Sequence, residues 1–257
     1  TEVRTLQSSY VDQAFQLSIS LPEGYHQSKA SYPVLYVTDA NWCFNIFANQ
    51  LVSWLPVPEM IIVGIGYPTD DNNAINHLRS RDFLATQDQA REKAINEHIP
   101  WTVESGGGGA FLSFIREELF GFVDKQYRTK REDRTFFGFS WGGTFGVYTL
   151  FNQPDTFQRY IISAPDLSWD NQIGFSDERD YADTFTALPV AVYFGVGTLD
   201  EDMIEHNFSL LAHFHTAMES RKYEGLKMKL GVYVDETHIS AVMPTAYKGL
   251  QFVFSDG

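Results

Sequence analysis

The sequence predicts an α/β protein in which helices cover both faces of a doubly wound, mostly parallel β-sheet. Three observations support this fold class. The runs 33–38 and 60–65 are continuously apolar, which is typical of central strands buried on both faces. Strand-like and helix-like segments alternate along the chain, which favours right-handed crossovers. Residues 134–151 combine a short buried strand, a glycine-rich turn and an apolar helix.

The elements of the first half follow in order. The alternating segment 15–21 predicts an antiparallel strand at the N-terminal edge of the sheet. Apolar residues at helical spacing predict a helix over 42–55, between the two central strands. The stretch 67–109 is polar and contains a run of four glycines, so we expect a lid-like insertion over the active site. An apolar stripe predicts a helix over 110–127.

The second half continues the alternation after the strand–turn–helix unit. A polar stretch, 164–188, predicts a second lid-like insertion over the site. The whole chain, 1–257, is expected to form one domain. Strands are predicted over 157–163, 190–195 and 227–234, and helices over 202–223 and 239–252.

Composition narrows the possible partners. A net charge of −14 disfavours nucleic acid and anionic membranes, and no apolar run reaches the length of a transmembrane helix. The lone Cys43 excludes an internal disulfide. We expect a cytoplasmic protein, or a periplasmic or secreted one if a presequence was removed. A homo-oligomer is compatible with the sequence.

The pattern G-x-S-x-G at 138–142 marks Ser140 as the candidate nucleophile. Between a strand and a helix, this pattern predicts a sharp turn that exposes the serine hydroxyl. The flanking glycines relieve the crowding of that turn, and the amides at the helix start point toward developing negative charge. The alternative is a glycine-rich turn that needs small residues for packing alone.

The serine needs a base, and the base needs a group that orients it. Proteins with this turn carry the acid and then the histidine on loops after later strands. His238 follows the last predicted strand, and Asp200 follows the strand 190–195. Glu201 and Asp202 lie on the same loop and are alternatives for the acid.

Other polar residues are weaker candidates. Asp166 and Asp170 follow the strand 157–163 and are fallback acids, although turn or capping roles suit them better. His213 and His215 would point to different sides of a helix, and the H-E-x-x-H signature is absent. We therefore expect catalysis without a metal or an organic cofactor.

Two backbone amides should stabilise the oxyanion. The turn geometry assigns one to Trp141, and the loop after the strand 33–38 offers Asn41, with Ala40 as the alternative. Aromatic side chains of the insertions are expected to contact a bulky or aromatic substrate group, although ordinary packing would explain each of them equally well. These residues are Tyr67, Trp101 and Trp169, together with Trp141.

Motifs along most of the chain resemble the putative esterase family, which includes esterase D, feruloyl esterases and ferric-siderophore esterases. The closest resemblance is to its siderophore-esterase-like branch, whose R-x-x-D motif is matched by Arg79 to Asp82. At position 40, Ala40 stands where the motifs of the family usually have glycine. The matching segments are YPVLYVTDA at 32–40, IVGI at 62–65, RSRDF at 79–83, SGG at 105–107, GFSWGG at 138–143, ISAP at 162–165 and GTLD at 197–200.

The resemblance implies an α/β-hydrolase fold and ester hydrolysis through an acyl-enzyme, with Ser140 and His238 in the catalytic positions. Asp200 is implied less directly, since some members of that branch use a Ser-His dyad. The strong negative charge does not favour a highly anionic siderophore as substrate, and Arg81 with Asp82 could equally form an ion pair that anchors the insertion.

The sequence thus predicts a serine hydrolase that cleaves small-molecule carboxylic esters through an acyl-enzyme intermediate. An acyltransferase or thioesterase with the same triad is an alternative within enzymes. A non-catalytic binding module on a hydrolase scaffold is the alternative outside them.

Overall fold

An eight-stranded mixed sheet forms the centre of the protein, as seen in a computed structural model that describes residues 1–48, 51–200 and 207–255. The strand order is β1-β2-β4-β3-β5-β6-β7-β8. Neighbours from β4 to β8 are parallel, whereas β2 is antiparallel to β4 and to β1. The strands are β1 Glu2–Ser8, β2 Gln13–Ser20, β3 Tyr32–Val37, β4 Ile61–Gly66, β5 Thr129–Phe139, β6 Arg159–Ser163, β7 Ala191–Leu199 and β8 Lys227–Thr237.

Helices connect the parallel strands, as the predicted alternation requires. They are α1 Ala40–Ala48, α2 Leu51–Trp54, α3 Asn72–Phe83, α4 Gln89–Asn96, α5 Gly108–Ser113, α6 Phe120–Gln126, α7 Trp141–Asn152, α8 Trp169–Thr184, α9 Asn207–Arg221 and α10 Val242–Val253, with a π-helical turn at Phe114–Leu119 between α5 and α6. Within the described ranges, no helix is long and apolar enough to cross a membrane.

The core lies on both faces of the sheet. Alternate residues of β3 point to opposite sides: Val34 and Tyr36 belong to the core beneath α5 to α9, whereas Leu35 and Val37 belong to the core beneath α1 and α10. The continuously apolar strands of the sequence are therefore covered on both faces. The predicted doubly wound, mostly parallel sheet is confirmed.

The N-terminal edge differs from the prediction. The segment predicted as the edge strand is β2, and it pairs on both sides, because β1 lies outside it. Most side chains of β1 are exposed or half-buried, so its sequence carries little hydrophobic pattern. Likewise β5 begins at Thr129, before residue 134, where the predicted strand–turn–helix unit starts, and its residues 130–132 are exposed.

The predicted helices agree in place and differ at their ends. The helix predicted over 42–55 is two helices, α1 and α2, with residues 49–50 outside the described ranges. The helix predicted over 110–127 starts at Gly108 and includes the π-helical turn. Of the helix predicted over 202–223, the described part is α9, since 201–206 lie outside the described ranges.

The two insertions contact each other. The first contains α3 and α4, and the second contains α8. Arg91 of α4 donates to Asp166 (2.8 Å) and to Ser168 (2.9 Å) at the start of the second insertion. All eight strands belong to one sheet, which supports one domain, although the single-domain boundary stays a prediction.

Candidate active site

Ser140 occupies a strained turn between β5 and α7. Its backbone angles, φ 56° and ψ −125°, lie in a region that non-glycine residues rarely adopt. A side chain at Gly138 would collide with the carbonyl oxygen of Gly142. One at Gly142 would come within 2.7 Å of the Thr38 hydroxyl. The two glycines of the motif are therefore required by close packing, as in a nucleophile elbow.

Backbone hydrogen bonds hold this turn while its hydroxyl stays available. The Ser140 amide donates to the Ser163 carbonyl (2.9 Å), and the Thr144 amide donates to the Ser140 carbonyl (2.9 Å). Among the residues that the structure describes, none forms a hydrogen bond with the Ser140 hydroxyl. The nucleophile candidate is thus positioned by its backbone.

His238 and Asp200 meet at the ends of the last two strands. Asp200 directly follows β7 and His238 directly follows β8. The His238 Nδ1 and the Asp200 Oδ1 are 2.5 Å apart, and both side chains are buried, with 3% and 0% exposure. With Asp200 ionised, the proton between them resides on Nδ1, which leaves the Nε2 lone pair free to act as a base.

Two further contacts fix this pair. The Asn207 amide at the start of α9 donates to the second carboxylate oxygen of Asp200, at 2.7 Å. The Phe139 ring packs against the imidazole with centroids 4.8 Å apart. Asn207 was not among the predicted site residues, and a lone asparagine in a helix carries no sequence signal for such a role.

Ser140 and His238 line the same pocket, of about 430 Å³. In the ranges 1–48, 51–200 and 207–255 no hydrogen bond joins the Ser140 hydroxyl to the imidazole. Such bonds are often longer before substrate binds and shorten in the reacting complex. The two side chains therefore face one cavity, and their pairing as nucleophile and base stays a prediction.

None of the alternative acids is described in contact with His238. Asp166 accepts hydrogen bonds from Arg91 and Ser168, which commits its carboxylate to the contact between the insertions. Asp170 is the second residue of α8, with φ 43°, and forms no described contact with His238. Glu201 and Asp202 lie outside the described residues. Within the described residues, the carboxylate that contacts His238 is that of Asp200.

Both predicted oxyanion donors lie at helix starts. Trp141 is the first residue of α7 and Asn41 the second of α1. Their backbone amides have no acceptor in the described part of the chain, as expected for the first turn of a helix. The Asn41 side chain binds the backbone of Tyr67 (2.9 and 3.0 Å) and of Thr69 (3.2 Å), which fixes the start of α1. The oxyanion roles of these two amides, or of the Ala40 amide, stay predictions.

Tyr67 lies in the core and not at the pocket, which corrects its prediction as a substrate-binding residue. It is 2% exposed, and its hydroxyl donates to Asp82 (3.0 Å), which also accepts from Arg81 (2.7 Å). Burial and the Asp82 carboxylate raise the pKa of Tyr67, so the phenol stays protonated and donates. Tyr67 directly follows the buried strand β4, and no local pattern indicates that its ring turns inward. Arg81 and Asp82 form the ion pair that was the alternative for this motif.

Trp101 and Trp169 are not among the described residues that line this pocket. Both pack edge-on against Trp141, with ring centroids 5.9 and 6.4 Å apart. Trp169 is buried, and its indole nitrogen donates to the Thr86 carbonyl (3.1 Å). The two residues support the helix start beside Ser140, and their role as substrate contacts stays a prediction. The second insertion contributes no described residue to the pocket lining, so its place over the site stays a prediction.

The pocket wall is mainly apolar, and the sequence did not predict it. Most lining residues come from α1, α3 and the start of α10, whose side chains converge only in the folded chain. Burial raises the pKa of the Cys43 thiol, which therefore remains protonated at neutral pH. Besides Ser140 and His238, the lining residues are Trp42, Cys43, Ile46, Asn76, Arg79, Phe139, Ile239, Val242 and Met243.

Arg79 is the charged residue in this lining, and its charge is neutralised by Asp39. Its guanidinium donates to both carboxylate oxygens of Asp39, at 2.7 and 2.8 Å, and both residues are buried. It also lies over the Trp42 and Trp141 rings, 5.7 and 5.2 Å from their centroids. Burial alone would lower the pKa of Arg79, but the Asp39 carboxylate outweighs it and raises the pKa.

The described residues contain no group of three or more His, Cys, Asp or Glu side chains placed to hold a metal ion. The site itself combines a hydroxyl in a strained turn, an imidazole held by a buried carboxylate, and amides at two helix starts. This arrangement defines an α/β-hydrolase with the components of a serine esterase.

The chain belongs to the putative esterase family, whose model matches residues 8–238. It is 27% identical to the ferri-bacillibactin esterase BesA of Bacillus subtilis, over 98% of this chain and 89% of that protein. The crystal structure of the BES protein from Bacillus cereus superposes with a TM-score of 0.83 at 27% identity, covering 99% of this chain and 95% of that one. An IroE-like serine hydrolase from Shewanella oneidensis superposes with a TM-score of 0.85 at 25% identity, covering 98% and 79%.

These similarities confirm the predicted family, the α/β-hydrolase fold and the hydrolase class. The protein is a carboxylic ester hydrolase of the serine type.

Proposed function

We propose that this esterase hydrolyses small-molecule carboxylic esters with Ser140 as nucleophile, His238 as general base and acid, and Asp200 as the group that orients His238. The observation that carries the proposal is the 2.5 Å contact between His238 Nδ1 and Asp200 Oδ1 beside the pocket that holds the Ser140 hydroxyl. A buried carboxylate on Nδ1 selects the tautomer that can accept the serine proton at Nε2.

Acylation follows from this arrangement. The Ser140 oxygen attacks the ester carbonyl while its proton moves to His238 Nε2, and the imidazolium that forms is stabilised by Asp200. The negative charge that develops on the carbonyl oxygen is stabilised by the Trp141 amide and by an amide of the α1 start, that of Asn41 or Ala40. His238 then gives its proton to the leaving alcohol, and the carbonyl bond re-forms as an acyl-enzyme.

Deacylation repeats the same steps with water. His238 accepts a proton from a water molecule that attacks the acyl carbonyl, and it returns that proton to the Ser140 oxygen as the ester bond to serine breaks. The products are a free acid and the original enzyme. Each proton that His238 takes is returned, so no further reactant is needed.

Product analysis tests this assignment against the other acyl-transfer functions. With p-nitrophenyl butyrate and 0.1 M of a primary alcohol, we expect butyric acid to account for nearly all of the acyl group, because water is the proposed acceptor. Transfer mainly to the alcohol would indicate an acyltransferase. Preference for a matched butyryl thioester by more than about tenfold in kcat/KM would indicate a thioesterase. Absence of turnover on every ester tried would indicate a binding module.

A further inference from the structure

We propose that the pocket beside Ser140 selects esters whose group in the pocket is uncharged and apolar, and that it rejects esters that carry a carboxylate there. This inference rests on the proposed function of Ser140 and names the substrate class of the same site. It follows from what lines the pocket, from the neutralised state of its arginine, and from the shape of the pocket rim.

The lining offers few partners to an anion. Apart from the proposed catalytic pair, its polar side chains in the described chain are Asn76, Arg79 and the thiol of Cys43, and the remaining ones are apolar. An ionised carboxylate loses its hydration when it enters such a site, and this loss is severe unless a charged or strongly hydrogen-bonding partner replaces the water. An alkyl or aryl group gains free energy in the same place.

Arg79 is poorly suited to be that partner. It is 6% exposed, both carboxylate oxygens of Asp39 occupy its guanidinium, and a third, longer contact goes to the Phe139 carbonyl (3.4 Å). The Trp42, Phe83 and Trp141 rings lie around the same guanidinium. The Nη1 nitrogen has no acceptor among the described residues, but the adjacent Asp39 carboxylate already neutralises the charge of the guanidinium. The pocket therefore presents a neutral ion pair to the substrate.

The rim of the pocket extends the apolar surface outward. Ile239 is 67% exposed and Met243 is 53% exposed, although both are large apolar residues. Trp42 is exposed on the opposite element, and its indole nitrogen donates to Asn72 (3.2 Å), which fixes the orientation of the ring. Exposed apolar side chains grouped at the mouth of a pocket mark a binding surface for an apolar group.

A matched pair of esters tests the inference: p-nitrophenyl hexanoate and the mono-p-nitrophenyl ester of hexanedioic acid. The two acyl chains have the same length, and the second ends in a carboxylate. We expect kcat/KM to be higher for the hexanoate by at least roughly 10²-fold, which equals ~2.7 kcal/mol at 1.36 kcal/mol per tenfold. The measurement is made at low salt and at 1 M salt, because 1 M salt screens the long-range repulsion from the net charge of −14.

Two variants that add the same positive charge at different places test whether the pocket causes the preference for the uncharged ester. Met243→Lys puts a cation at the pocket rim. We expect it to reduce the ratio of kcat/KM for the hexanoate to kcat/KM for the hexanedioate monoester about tenfold or more. Val232→Lys adds the same charge on β8, on an exposed residue outside the pocket lining, and should leave the ratio within about twofold of the wild-type value. Both proteins are compared at 1 M salt after circular dichroism has shown that they are folded.

The outcomes separate the two proposals. If Ser140→Ala lacks turnover, and the wild-type ratio stays high at 1 M salt and falls only in Met243→Lys, the inference holds. If both esters are cleaved in a Ser140-dependent manner with a ratio near one, the inference is wrong and the proposed function stands. A ratio that vanishes at 1 M salt also overturns the inference, since net charge then explains it. Turnover of both esters by Ser140→Ala would contradict the proposed function instead.

Discussion

Ser140→Ala is expected to lower kcat for ester hydrolysis by about 10⁴- to 10⁶-fold, the range found when a serine nucleophile of this kind is removed. The acyl-enzyme cannot form without the hydroxyl, and the remaining rate comes from binding and the oxyanion amides alone. The fold should be unchanged, because the hydroxyl has no hydrogen-bond partner among the described residues and its strained turn is held by backbone contacts. Steady-state hydrolysis of p-nitrophenyl butyrate measures the loss.

Ser113→Ala is the matched control for this prediction. Ser113 ends α5, its hydroxyl bonds to the carbonyl of Gly109 within its own helix (3.0 Å), and it is not among the described residues that line the pocket. We expect its kcat to remain within about twofold of the wild-type value. A Ser140→Ala protein that is folded and keeps more than a tenth of wild-type kcat would show that the nucleophile is elsewhere.

Asp200→Asn is expected to lower kcat by about 10⁴-fold with little change in KM. The Asn side chain is similar in size, so the buried site should stay packed. However, an amide that donates to Nδ1 favours the tautomer with its proton on Nε2, and this tautomer cannot accept the serine proton. An amide also cannot stabilise the imidazolium. The measurement is kcat against pH, since the Asn variant should recover part of its rate at alkaline pH, where hydroxide supplies the base.

Asp170→Asn is the control that separates this effect from a general loss of carboxylate. Asp170 was a fallback acid, and its φ of 43° is one that asparagine tolerates well. We expect activity within about twofold of the wild-type value. If Asp200→Asn were nearly as active as wild type at neutral pH, the protein would work with Ser140 and His238 alone, as a dyad.

The candidate catalytic side chains could be located in the sequence because each depends on a short local pattern. Ser140 has glycines on both sides that a tight strand-to-helix turn requires, and His238 and Asp200 follow strands with strong apolar signals. In a parallel sheet the carboxyl ends of such strands meet at one edge, which is where ligands bind. Strand order and loop position were therefore enough to bring three distant residues together.

The pocket wall and the edge of the sheet were not predictable in this way. Val242 and Met243 line the pocket because α10 packs across the sheet beside α1, and no local pattern encodes that packing. The inward orientation of Tyr67 depends on Asp82, which lies on another element. Strand β1 is defined by backbone pairing with β2, and its side chains are too exposed to show a hydrophobic pattern.

The position of Arg79 shows how a motif can mislead about charge. The R-x-x-D match places an arginine at the pocket, which taken alone would suggest a site for an anionic ester. The structure pairs that arginine with Asp39, which is 40 positions earlier and has a positive φ of 54°. A contact over such a distance in sequence is not visible in a motif, although it decides the charge of the pocket.

The central claim is that Ser140 forms a covalent acyl-enzyme, and the most direct measurement is the mass of the protein after reaction with a fluorophosphonate, followed by peptide mapping. We expect one adduct per chain, located on Ser140, formed by the wild-type protein and absent from Ser140→Ala. An adduct on a different residue, or equal labelling of the Ser140→Ala protein, would contradict it.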